Sequence, residues 1–148
     1  MPSSFNNACY ALLALCLSGA GSSLASEIAI RLGPPAIGVG GTNPVSIPPS
    51  LLDAQFIYVT QRNLEFNVSV TGFYVGRREK INGGASVALG AGFVLDANGS
   101  GPGIYSAFTY DFWCGWVCAS TEYLQGVGLT NSGVVSPYSW RLGVSRWF

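Results

Sequence analysis

Charge is the first thing this sequence lacks. Only 9% of its 148 residues are charged, seven basic against seven acidic, where an ordinary soluble domain carries about 25%. A net charge of zero removes the field that would steer the chain to nucleic acid or to an anionic surface. So little charge also leaves a water-facing surface hard to build. Histidine is missing altogether, which excludes Ser-His-Asp and Cys-His catalysis and the common His-containing metal sites. Lys80 is the only lysine, and the glycines never fall in G-x-G-x-x-G order, so no phosphate-binding loop is present. Beyond the N-terminal region no run of about 18 apolar residues occurs, so no membrane-spanning helix is expected.

What is present begins with an apolar run, Ala8 to Leu17, of signal-peptide length and too short to span a bilayer as a helix. Ser23-Leu24-Ala25 offers a small-x-small cleavage site, although no Lys or Arg precedes the run. Residues 1–25 are therefore expected to be a leader and residues 26–148 the mature domain. A lipoprotein would need Cys16 to be lipidated, and Leu15 before it is larger than the residue usual there.

The remainder alternates at period two, with almost no helix signal. Strands are expected near Glu27, Ala54, Leu64, Ala85, Ile104, Ala119 and Tyr138. In the run from Leu64 to Val75, Leu64, Phe66, Val68, Val70 and Tyr74 fall on one face, opposite Glu65, Asn67, Ser69 and Thr71. Phe73 and Val75 fall with the second face, as do Val94 and Leu124 in later strands. Gln61 to Asn63 reads as a short turn, and Arg77 to Lys80 as part of a charged, solvated turn that could alternatively touch lipid phosphates. Asn67 and Asn98 match short glycosylation acceptors, a pattern common by chance. The non-apolar face is mostly Gly, Ala, Ser and Thr with isolated charges. That composition suits a narrow barrel interior, while the apolar face suits lipid with aromatics at the strand ends.

The final strand carries a resemblance. Trp140, Leu142, Val144 and Phe148 alternate to a terminal aromatic, a pattern that resembles the C-terminal targeting strand of bacterial outer-membrane β-barrel proteins. Arg146 departs from it, in a place where an apolar residue or Tyr is expected. The resemblance implies an all-β, antiparallel up-and-down transmembrane barrel, exported through the periplasm to the outer membrane. It also implies contact with outer-membrane lipid and recognition of the last strand by the barrel-assembly machinery. Such barrels have even strand numbers with both termini on the periplasmic side. Seven strands are evident, so eight are expected, the spare segment being residues 36–47.

Arg31, Glu65, Asp111, Glu122 and Arg141 all fall on inward positions, where a paired charge network filling a closed lumen is expected. Asp111 and Glu122 alone would be a carboxylate pair for acid–base chemistry, the weaker of the two readings. Cys114 and Cys118, in CGWVC, are too few for a metal site and lack the C-x-x-C redox spacing. In an oxidising compartment they read as a local disulfide bracing a turn. The expectation is thus a small, non-enzymatic outer-membrane barrel with no cofactor and no nucleic-acid partner. The apolar inward positions keep a homo-oligomer open. The alternatives are a secreted soluble β-sandwich that binds or adheres, and an envelope enzyme using inward carboxylates.

Overall fold

Alternating side chains can bury a polar face without an edge only if the sheet closes on itself, and this one does. The computed structural model describes residues 25–33, 35–39, 45–46, 53–96, 99–131 and 133–148. The expected leader lies outside the described residues except for Ala25, and Asn98 lies outside them too. The described strands are β1 (Ala25–Gly33), β2 (Pro35–Val39), β3 (Val45–Ser46), β4 (Asp53–Thr60), β5 (Leu64–Ser69), β6 (Gly72–Asn82), β7 (Ala85–Asp96), β8 (Gly99–Phe112), β9 (Cys118–Thr130) and β10 (Gly133–Trp147). Eight of them form an antiparallel ring, β1-β4-β5-β6-β7-β8-β9-β10, closed by the pairing of β10 with β1. A single closed sheet replaces the two packed sheets that the sandwich alternative requires.

The eighth strand does not come from residues 36–47. β2 pairs with β10 in the register already set by β1, from Leu32 opposite Leu142 to Pro35 opposite Ser139. β2 therefore prolongs β1 above the ring, and β3 pairs alongside it. The missing strand is β6, hidden in what reads as one long strand from Leu64. Ser69 pairs with Gly72 across a tight turn at Val70 and Thr71. Thr71 and Gly72 both face inward, and this one-residue slip inverts everything after it. Tyr74, expected outward, is fully buried in the lumen, and Phe73 is exposed on the outer wall, with Val75 on the same side. Arg77 to Lys80 lie within β6, not in a turn. The chain reverses after them, at Gly83 and Gly84, whose φ angles of 58° and 91° suit glycine.

The register fixes the barrel's shape. The ladder runs from Ala29 through Ile57, Asn67, Tyr74, Gly92, Gly103, Gly128 and Val135 to Val39. It thus returns to the first strand ten residues beyond its start. Eight strands with that stagger tilt by roughly 40° and enclose a bore that side chains can fill. One half of the bore is filled by Tyr74, Val94, Tyr105, Leu124 and Val135 with Ala88 and Ala107. Tyr74 and Tyr105 pack at 4.6 Å between ring centroids, in space cleared by inward glycines. A Cβ on Gly90 would sit 2.3 Å from the Tyr105 ring and 2.5 Å from the Val75 carbonyl oxygen.

Gly90→Val is accordingly expected to abolish the folded barrel, whereas Gly115→Ser, with open space around its Cβ, should leave it intact. Heat-dependent gel mobility of each variant distinguishes the two results, and a folded Gly90→Val protein would refute the packing described.

Candidate functional site

The other half of the bore is polar. Among the described residues, seven charged side chains lie buried: Glu27, Arg31, Glu65, Arg78, Asp111, Glu122 and Arg141. Buried charges persist only when paired and hydrogen-bonded, and two arginines meet that demand around one carboxylate. Glu122 Oε2 accepts from Arg31 Nη1 at 3.0 Å, Arg78 Nη2 at 2.9 Å and Thr109 Oγ1 at 2.9 Å. Its Oε1 accepts from Gln55 Nε2 at 2.6 Å. Arg78 also donates through Nε to Glu65 Oε2 and through Nη1 to Ser86 and Thr109. Glu65 Oε1 accepts from Tyr105 at 3.0 Å and from Asn67 at 3.2 Å. Arg31 donates to Ser120 and lies 3.6 Å from Glu27, which is held by charge alone.

Of the five charges expected inside, all five are buried, but they do not form one group. Arg31, Glu65 and Glu122 belong to a network whose bridge is Arg78, a residue placed in a solvated turn by the sequence pattern. Glu27 was likewise missed, although alternation through Ile28, Ile30 and Leu32 puts it on the inner face. The clue to Arg78 was the phase after Val70: Gly72, Tyr74, Gly76 and Arg78 alternate with Phe73, Val75 and Arg77 once the slip is allowed. Arg141 is buried opposite Glu122 in the β9–β10 register. Asp111 lies apart, accepting from Ser145 Oγ at 3.0 Å and from Trp147 Nε1 at 2.8 Å. It is thus tied to the last strand rather than to Glu122, and both Glu122 oxygens are already engaged. The buried Asn67 side chain, bonded to Gln55 and Glu65, is no glycosylation acceptor.

The outer wall is the reverse. Leu89, Ile104, Leu129, Trp140 and Leu142 are each about 60% exposed or more, a degree of apolar exposure that water would penalise along the whole circumference. Val144 and Phe148 lie on the same face. Of the apolar inward positions that kept an oligomer open, Val94 and Leu124 are consumed by the lumen core and Phe73 and Val75 face outward.

The terminus-bearing rim carries the disulfide between Cys114 and Cys118. Its loop exposes Trp113 and Trp116, and the Arg146 guanidinium lies 4.3 Å from the Trp116 ring centroid and 4.9 Å from that of Phe148. Arg146 therefore sits with its guanidinium among rings at the rim. Lys80 stacks on Trp147. Beside them Asp111, Trp147 and Cys114 help line a small recess of about 180 Å³. Among the described residues no group of three metal-ligating side chains occurs.

Two consequences are measurable by denaturant unfolding in detergent micelles. Glu122→Ala leaves Arg31 and Arg78 without their shared partner and is expected to cost about 3–5 kcal/mol; a loss below about 1 kcal/mol would mean that the network contributes little. Replacing both Cys114 and Cys118 by Ser opens only a short loop and should cost about 2 kcal/mol or less.

Comparison with known proteins finds no matching family model and no matching curated protein. Among solved structures the chain is similar to Ail, the attachment invasion locus protein of Yersinia pestis. The two are 13% identical with a TM-score of 0.48, over 82% of this chain and 99% of that one.

Proposed function

We infer that this chain is an integral outer-membrane barrel that works through its surfaces rather than by catalysis. The observation that carries the reading is the closed eight-stranded sheet whose outer wall is apolar and whose bore is filled by ion pairs and packed tyrosines. In hydrocarbon every backbone donor and acceptor needs a partner within the protein, and closure supplies it. A soluble protein would gain nothing from turning its apolar face outward. The filled bore argues against a general pore, and the engaged carboxylates argue against acid–base chemistry there. What remains for function is the lipid-facing wall, the two rims and the ends of the long strands. Recognition of Trp140, Leu142, Val144 and Phe148 by the assembly machinery belongs to the same reading, since the first three are exposed on the outer face of β10 and Phe148, immediately after it, is exposed as well.

Fractionation of expressing cells tests it. The protein is expected in the outer-membrane fraction, migrating differently on a gel before and after boiling. A slow unheated band would add self-association to the reading. Soluble material with no shift would overturn it.

A further inference from the structure

A groove opens in the outer wall where β4 and β5 stop short. Leu64, the first residue of β5, pairs with Arg77, while β6 runs on to Asn82 without a β5 partner. The step leaves an open groove of about 870 Å³ lined by Tyr58, Thr60, Gln61, Arg62, Leu64 and Arg77. The turn that forms its floor is tightly held. Asn63 N donates to the Thr60 carbonyl at 3.0 Å, Leu64 N donates to Thr60 Oγ1 at 3.1 Å, and Arg78 N donates to the Asn63 carbonyl at 2.9 Å. Arg62 is thereby presented from an ordered turn, exposed and without an ion pair among the described residues. Arg77 is exposed and pairs with Glu79, whose other oxygen accepts from Asn63 Nδ2 at 3.1 Å.

The groove lining thus carries two guanidiniums, Arg62 and Arg77, of which Arg77 is paired with Glu79, an excess of positive charge on a wall with few other charges. Among the described outward positions of the barrel strands the remaining charge is Arg146, at the end of β10. The apolar side of the groove, Leu64 and the Tyr58 ring with Phe66 6.4 Å away, continues directly into the lipid-facing surface. The groove lies on the terminus-bearing side, since Thr60 pairs with Ala25 at the start of β1. A cation at that depth can extend its head to the interface along its stem. Guanidinium groups bind phosphate oxygens in pairs.

We propose that this groove seats one anionic phospholipid of the leaflet on the terminus-bearing side. Its phosphodiester oxygens are held by Arg62 and Arg77, and an acyl chain lies along Leu64, Tyr58 and Phe66. A lipid headgroup, not free phosphate, is the occupant because the apolar half of the groove would otherwise face water. The inference rests on the outer-membrane reading, and the experiment separates the two failures.

The full chain, released from the outer membrane in mild detergent, is mixed with equal amounts of phosphatidylglycerol and phosphatidylethanolamine and weighed by native mass spectrometry. The wild-type barrel is expected to retain one phosphatidylglycerol in preference, and Arg62→Gln/Arg77→Gln to lower that preference about tenfold. Arg62→Gln alone, on an exposed turn where folding is safe, should lower it about threefold. Arg146→Gln, outside the groove, should leave it unchanged, and millimolar inorganic phosphate should not displace the lipid. Equal retention by the double variant and the wild type would overturn the proposal. So would displacement by phosphate, or a wild type without headgroup preference. A wild type that shows no heat-dependent shift would overturn the barrel reading instead.

Discussion

The hydrogen-bonded seam between β1 and β10 is the constraint on which the rest depends. From Glu27 opposite Trp147 to Leu32 opposite Leu142, it joins the two end strands of the ring and abolishes its open edges. Without it, the outermost strands would carry unpaired backbone groups into lipid, each costing several kcal/mol. With it, the sheet acquires an inside, and the inside must be filled. The stagger then fixes how wide that inside is, and so which side chains fit.

Filling follows from width. A bore of this size has no room for a water column flanked by long side chains, so the inward charges crowd one another and must neutralise locally. Glu122 on β9 takes donors from β1, β4, β6 and β8, and a single carboxylate thereby braces the ring from several directions. The apolar half is organised differently: two tyrosine rings occupy the space that glycines on neighbouring strands leave free. Polar and apolar filling meet at Tyr105, whose ring packs on Tyr74 and whose hydroxyl donates to Glu65. The two halves are therefore joined by one side chain.

Most of this was legible from alternation alone. β1, β4 and β7 to β10 show their inner and outer faces in the sequence, because a period of two is imposed by the pleat and a lipid-facing wall tolerates few exceptions. The β5–β6 hairpin was not legible. Its turn is made by Val70 and Thr71, β-branched residues that normally signal strand interior, and no Gly-Asn or Pro announces it. Missing that turn hid Arg78, which binds the lumen network together, and gave the eighth strand to residues 36–47. The count was right because parity is a property of closure; the segment was wrong because parity carries no position. Glu65 and Glu122 were legible because they sit in strands whose phase nothing disturbs, whereas Arg78 lies beyond the slip that inverts it.

The strands of the ring differ greatly in length, from six residues in β5 to fifteen in β10. At about 3.3 Å per residue and a tilt near 40°, these correspond to heights of roughly 15 Å and 38 Å. A bilayer of uniform thickness cannot match both sides at once. In the outer-membrane reading, lipid beside β5 would thin or the barrel would lean, each ångström of mismatch costing a fraction of a kcal/mol. In a membrane, as inferred above, such a barrel would have a built-in compass in the plane of the bilayer: its short side would lie where the bilayer is thinnest.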